Sequence, residues 1–167
     1  MKNKILIIFL LLAGTSLAQP YKSSVGVKSG YPGYVAGNYK YFLPTSSRRW
    51  AIEATVGTNF DSDNRYFSAQ IMLERCTPIG ISSGYNWYIG LSPTAQYYVK
   101  GGYLYDDGQQ ETESFFLRTD AVWGIEYCAK QKKIPLTAAF DLGPSFNFIP
   151  KPRFFVTFNI AVRYTIN

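Results

Sequence analysis

The chain has 167 residues, with 17 Lys and Arg against 11 Asp and Glu, and its formal net charge is +6. It contains no His, which excludes His-based catalytic triads, His general bases and most zinc sites. Aromatic residues make up 17% of the chain, more than a water-soluble core requires, and the sequence shows no dense run of Lys or Arg that would predict nucleic-acid binding.

The N-terminal segment has the three parts of a secretory signal peptide. Two lysines precede an apolar run over residues 5–12, and small residues follow up to Ala18. The apolar run is shorter than the roughly 20 residues that a transmembrane helix needs. We therefore predict a Sec-type signal peptide over residues 1–18 and one mature domain over residues 19–167, whose formal charge falls from +6 to +4 with the loss of two lysines.

The mature chain alternates apolar and polar residues with period two, and seven turn-rich patches interrupt the alternation. This pattern predicts an all-β fold of eight antiparallel strands, most of them close to the 9–11 residues with which a tilted strand crosses a bilayer. The strands are predicted near residues 22–29, 34–43, 49–60, 66–76, 86–100, 114–128, 135–148 and 153–166.

Each predicted strand has one apolar and one polar face. In the third strand, Trp50, Ile52 and Val56 share one face, and Glu53 and Thr55 share the other. A soluble fold would bury the apolar face, whereas an outer-membrane barrel would turn it to lipid and line its lumen with the polar face. The alternation alone is compatible with both arrangements.

Two further patterns favour the membrane barrel. Aromatic residues gather at the strand ends on the apolar face, as in the two aromatic girdles of such barrels. Small residues such as Gly26, Gly57 and Gly124 recur on the polar face, where a narrow barrel has little room. We therefore predict an eight-stranded antiparallel up-and-down transmembrane β-barrel. The predicted girdles are Tyr41, Trp50, Trp87, Tyr127 and Tyr164 at one level, and Phe60, Phe67, Phe115, Phe148 and Phe154 at the other.

The polar face also carries charges of both signs. The interior of a closed eight-stranded barrel holds side chains, so charges there must form pairs. The sequence thus predicts a structural plug of ion pairs in preference to a proton or ion relay, and it predicts no catalytic, cofactor or metal site. The predicted lumen network is Lys28, Lys40, Glu53, Glu74, Arg118, Asp120, Glu126, Asp141 and Arg163.

The two cysteines end the fourth and sixth predicted strands. Cys76 and Cys128 both fall on the polar face, with one strand between them. Two strand steps place their Cα atoms roughly 9–11 Å apart, and a disulfide needs less than about 7 Å. The sequence therefore predicts no disulfide.

The last quarter of the chain, "GIEYCAKQKKIPLTAAFDLGPSFNFIPKPRFFVTFNIAVRYTIN", resembles the end of small outer-membrane β-barrel proteins of Bacteroidota, of the OmpA/OmpX-like eight-stranded type. The family's last strand usually ends on an aromatic residue, whereas this chain has Ile166 and Asn167. The resemblance implies location in the bacterial outer membrane, periplasmic termini, contact with outer-membrane lipid, and insertion by the barrel-assembly machinery. The matching residues are Gly124, Glu126, Tyr127, Ile134, Pro135, Leu136, Asp141, Pro144, Phe146, Asn147, Arg163 and Tyr164.

These observations predict a non-enzymatic outer-membrane barrel with a plugged lumen and a structural or surface-interaction role, whose surface partner the sequence does not name. A porin-like narrow pore is a variant of this prediction. A soluble lipocalin-like barrel that binds an apolar ligand is the alternative. Small outer-membrane enzymes that act on lipid resemble one another through a catalytic His, and this chain contains none.

Overall fold

The computed structural model describes residues 21–31, 33–44, 49–59, 65–79, 84–100, 103–104, 110–111, 115–129, 134–149 and 152–166. The predicted signal peptide and the predicted girdle residue Phe60 lie outside these ranges. The strands are β1 (Ser23–Tyr31), β2 (Tyr34–Phe42), β3 (Trp50–Thr58), β4 (Arg65–Pro78), β5 (Tyr85–Lys100), β6 (Tyr103–Leu104), β7 (Gln110–Glu111), β8 (Phe115–Cys128), β9 (Leu136–Ile149) and β10 (Arg153–Ile166). Across the described ranges, no helix has the length and apolar character needed to cross a membrane.

Eight of these strands close into a barrel. Each pairs antiparallel with its neighbours in the order β1-β10-β9-β8-β5-β4-β3-β2, and β1 pairs with both β10 and β2. The predicted all-β fold with eight antiparallel strands in an up-and-down barrel is confirmed, and every predicted strand end lies within two residues of the observed one. The short β6–β7 pair forms a separate sheet that the alternation did not predict.

The barrel strands are staggered. The stagger is found by starting at Glu126 on β8 and moving from each residue to its cross-strand partner on the next strand. One full turn around the barrel returns to β8 at Phe116, a shift of ten residues (126 − 116). With strands ~4.8 Å apart and a rise of ~3.3 Å per residue, this stagger corresponds to a strand tilt of roughly 40°. Side chains at one level of the lumen therefore come from residues that are not cross-strand partners.

We call the end of the barrel where β1 begins and β10 ends the terminal end, and the end where β5 ends and β8 begins the loop end.

Burial separates the two faces of every barrel strand. On β3, Val56 is 67% exposed and Glu53 is 1% exposed, and on β10, Ile160 is 57% exposed and Arg163 is 1% exposed. The polar face therefore lines the interior and the apolar face forms the outer surface, which settles the orientation that the alternation left open.

The outer surface of the barrel is almost uncharged. Among the described side chains that point outward from the barrel strands, the charged ones are Arg65 and Arg75, both on β4. Large apolar side chains cover the surface between them, including Ile71 at 60% exposure and Leu73 at 48%. Soluble monomers rarely expose apolar patches of more than a few hundred Å².

Candidate functional site

All nine charged residues predicted for the lumen lie inside the barrel. Arg118 is the most exposed of them at 6%, and Lys40, Glu74 and Glu126 have no exposed surface. They form a central network near the terminal end and a smaller group nearer the loop end.

Arg163 lies at the centre of the network. Its Nη2 atom donates to Glu53 Oε2 at 2.5 Å, and its Nη1 atom donates to Glu126 Oε2 at 3.1 Å. Its Nε atom donates to the side-chain oxygen of Asn38. One guanidinium from β10 therefore connects side chains from β3, β8 and β2, in the fork geometry that favours arginine over lysine in buried pairs.

Lys28 closes one side of the network. Its ammonium lies 2.8 Å from Glu53 Oε1 and 3.3 Å from Asp141 Oδ2. The Asp141 carboxylate also accepts hydrogen bonds from Asn159 Nδ2 at 2.5 Å and from the Tyr88 hydroxyl at 3.0 Å. Both oxygens of Asp141 are therefore occupied, as burial of a carboxylate requires.

Lys40 closes the other side. Its ammonium lies 2.5 Å from Glu74 Oε1 and 2.9 Å from Glu126 Oε2. The rings of Phe42 and Tyr88 approach the same ammonium at 5.0 and 5.1 Å from their centroids. Two carboxylates thus share one cation, which aromatic faces separate from water.

Asp120 organises the second group. It accepts hydrogen bonds from Ser145 Oγ, from Gln70 Nε2 at 3.1 Å and from Thr94 Oγ1 at 3.3 Å. Arg118 Nε lies 3.4 Å from Asp120 Oδ1 and has no hydrogen-bond partner of its own. The hydrogen bonds that the structure describes to this carboxylate therefore come from neutral donors, and Arg118 contributes an ion pair.

Apolar and aromatic side chains cover the ion pairs at both ends. At the terminal end, Tyr21 and Phe42 are each 1% exposed and their ring centroids are 5.0 Å apart. At the loop end, Tyr98 and Phe116 are buried with ring centroids 4.8 Å apart. The charged side chains therefore lie between aromatic pairs at the two ends of the lumen, and side chains occupy the interior as expected for eight strands.

The cysteines lie at the terminal end of the lumen. Cys76 and Cys128 are both buried, and no disulfide joins them. Cys76 pairs with Tyr88, which pairs with Gly124, four residues before Cys128 (128 − 124). Two strand steps and four residues of offset put the Cα atoms roughly 16 Å apart, farther than the spacing expected from strand order alone.

Several side chains that complete the network were not among the predicted site residues. The phenols of Tyr34 and Tyr88 face inward, and alternation along their strands carries that signal. Asn38 and Asn159 lie on the same inward face. Tyr21 precedes the first strand, so the alternation gives no signal for it, yet its hydroxyl donates to Glu126 Oε1 at 2.7 Å.

The described residues of the predicted girdles lie on the outward face near the two strand ends. At the terminal end, Trp50 and Tyr164 are exposed, and Tyr41, Trp87 and Tyr127 are half-buried. At the loop end, Phe67, Phe115, Phe148 and Phe154 are all exposed. Phe115 and Tyr127 are twelve residues apart on β8 (127 − 115), which is roughly 30 Å along the axis of a barrel with this tilt.

Comparisons with known proteins add no family to this description: no family model, no curated protein and no solved structure matches the chain. The resemblance to Bacteroidota barrels therefore rests on the residues of the last quarter alone. Within the described residues, no group of three or more Cys, Asp or Glu side chains has an arrangement that could hold a metal ion.

Proposed function

We propose that this chain is a small transmembrane β-barrel of the bacterial outer membrane, with a plugged lumen and a structural or surface-interaction role. The observation that carries the proposal is the uncharged outer surface between Arg75 and Arg65. These residues are ten positions apart on β4 (75 − 65). At this tilt they are separated by roughly 25 Å along the barrel axis, which is the height of the apolar band on outer-membrane barrels.

The two aromatic levels support the same placement. Tyr and Trp side chains at the terminal end and Phe side chains at the loop end border the uncharged surface. Aromatic residues concentrate at both interfaces of a bilayer because their rings suit the headgroup level. The predicted signal peptide supplies the export that an outer-membrane location requires, and insertion by the barrel-assembly machinery follows from the resemblance.

The lumen favours a plugged barrel over both alternatives. A lipocalin-like carrier needs an apolar interior cavity, whereas the described interior holds nine buried charged side chains that contact one another through shared ion pairs. A narrow pore needs a continuous water path, whereas the charged side chains here contact one another at 2.5–3.4 Å, and buried aromatic pairs lie at both ends of the lumen. The charged network thus serves to fill and stiffen the barrel.

The test is expression with the native signal peptide, followed by fractionation and electrophoresis in SDS with and without boiling. We expect a band in the outer-membrane fraction whose mobility changes on boiling, because closed membrane barrels resist SDS. A soluble band that boiling does not shift would contradict the proposal. Reconstitution in planar bilayers should give no steady current, and steady single-channel currents would favour the pore.

A further inference from the structure

The charges that the structure describes inside the barrel do not balance. Among the buried side chains, four cations face five carboxylates, a net charge of −1 (4 − 5), and the half-buried Arg153 lies at the loop end, away from the central network. Arg118 and Asp120 offset each other near the loop end. The imbalance therefore falls on the central network, where Lys28, Lys40 and Arg163 face Glu53, Glu74, Glu126 and Asp141.

Three of the four central carboxylates have partners on both oxygens. Glu53 Oε1 accepts from Lys28 and its Oε2 accepts from Arg163. Glu126 Oε1 accepts from Tyr21, and its Oε2 lies within 3.1 Å of Lys40 and Arg163 donors. Asp141 is likewise bonded through both oxygens. Each of these environments suits the ionised form.

Glu74 differs from them. Its Oε1 atom lies 2.5 Å from the Lys40 ammonium and accepts a weak bond from the Cys76 thiol at 3.6 Å. Its Oε2 atom is buried and has no hydrogen-bond partner, and the residue has no exposed surface. Lys40 also binds Glu126, and Glu126 has Arg163 as a second cationic partner. Glu74 contacts Lys40 alone, so of these two carboxylates it has the less compensating positive charge.

We propose that Glu74 is a proton-binding site, and that its Oε2 carries a proton in the folded barrel. The central network is then neutral, with three cations and three carboxylates. An unpaired buried charge is far more costly than a neutral carboxyl group, so the excess charge is removed by protonation at the carboxylate with the fewest donors. The titratable and charged groups that surround this site are Tyr21, Lys40, Glu53, Cys76, Tyr88, Glu126 and Arg163.

This inference depends on the sealed interior and not on membrane location, so the two proposals fail separately. It is tested on the purified folded barrel by infrared spectroscopy at neutral pH. We expect the carbonyl stretch of a buried protonated carboxyl group in the wild type, with loss of the band in Glu74→Gln. Asp120→Asn is the matched control, because it removes a lumenal carboxylate outside the central network and should leave the band in place.

Unfolding equilibria provide the second measurement. Glutamine imitates a protonated glutamate, so Glu74→Gln should change the unfolding equilibrium constant by less than about tenfold, whereas Glu53→Gln should raise it about a hundredfold or more. Absence of the infrared band from the wild type, or its persistence in Glu74→Gln, would overturn the proposal. If the wild type lacks the band and its stability depends on sodium or potassium at fixed ionic strength, the proposal is also wrong. A bound cation would then balance the excess negative charge.

Discussion

Arg163 on β10 and Glu53 on β3 are 110 residues apart in the chain, and their side chains meet at 2.5 Å inside the barrel. Strands β1 and β2 lie between β10 and β3 in the barrel order. The contact therefore crosses the lumen and depends on the pairing of the first strand with the last. The ion pair forms only when the barrel is closed, so loss of the pair is expected to destabilise the closed barrel.

Replacement of Arg163 by methionine should destabilise the barrel by about 3–5 kcal/mol, because it leaves Glu53 and Glu126 short of a buried cation. The free energy of unfolding in denaturant, measured on protein refolded in detergent, tests this expectation. Arg163→Lys keeps the charge and should cost less. The double variant Arg163→Met with Glu53→Gln should recover part of the lost free energy of unfolding. A loss under about 1 kcal/mol in Arg163→Met alone would contradict the expectation, because it would show that the ion pair contributes little to stability.

Gly26 lies where β1 has no room for a side chain against β10. A methyl group at this position would collide with the backbone of Val162 and Arg163. Gly26→Ala should therefore cost roughly 1–3 kcal/mol or more by overpacking and should weaken the SDS-resistant form. Gly37→Ala on the outer surface is the control, because its nearest neighbour would be the Val56 carbonyl oxygen at 3.8 Å. Equal effects of the two substitutions would mean that the β1–β10 seam is not tightly packed.

Alternation was sufficient to predict the strands and their faces. Along β3, successive side chains point to opposite faces: Glu53 and Thr55 are buried in the lumen, and Ala54 between them is exposed on the outer surface. The β6–β7 pair was missed because strands of two residues leave no periodic signal. Inward aromatic residues such as Tyr88 followed the correct alternation but were not among the predicted site residues.

The partners of each charge could not be predicted, because they depend on the ten-residue stagger. Lys40 and Glu53 are cross-strand neighbours in the register. The Lys40 ammonium nevertheless binds Glu74 and Glu126, while Glu53 is bound by Lys28 and Arg163. Tilt of the strands places non-paired residues at the same level, and no local pattern in the sequence encodes that tilt.

The three tryptophans should report their depth in a bilayer. Trp123 lies on the uncharged surface, four residues from Tyr127 toward the loop end of β8 (127 − 123), whereas Trp50 and Trp87 lie at the terminal end. In single-tryptophan variants reconstituted in lipid vesicles, deep brominated lipids should quench Trp123 most strongly. Lipids brominated near the headgroup should quench Trp50 and Trp87 more strongly. Fluorescence that responds to water-soluble quenchers alone would place the barrel outside the membrane.

A charge placed on the outer surface separates a membrane barrel from a soluble one. Ile71 is 60% exposed and lies on β4 between Arg75 and Arg65, four and six residues away (75 − 71 and 71 − 65). If lipid covers this surface, Ile71→Arg should destabilise the barrel in phospholipid bilayers by about 2–4 kcal/mol, the cost of arginine near the bilayer midplane.

Leu136→Arg provides the matched comparison. Leu136 is 42% exposed at the terminal end, where it pairs with Tyr164 of the aromatic level. Arginine near the interface costs only about 0–1 kcal/mol, so Leu136→Arg should be tolerated. In a soluble barrel both substitutions would introduce a hydrated charge at an exposed site and both changes would stay within about 0.5 kcal/mol. The difference between the two unfolding free energies therefore decides which medium surrounds the barrel, because each variant carries the same new side chain.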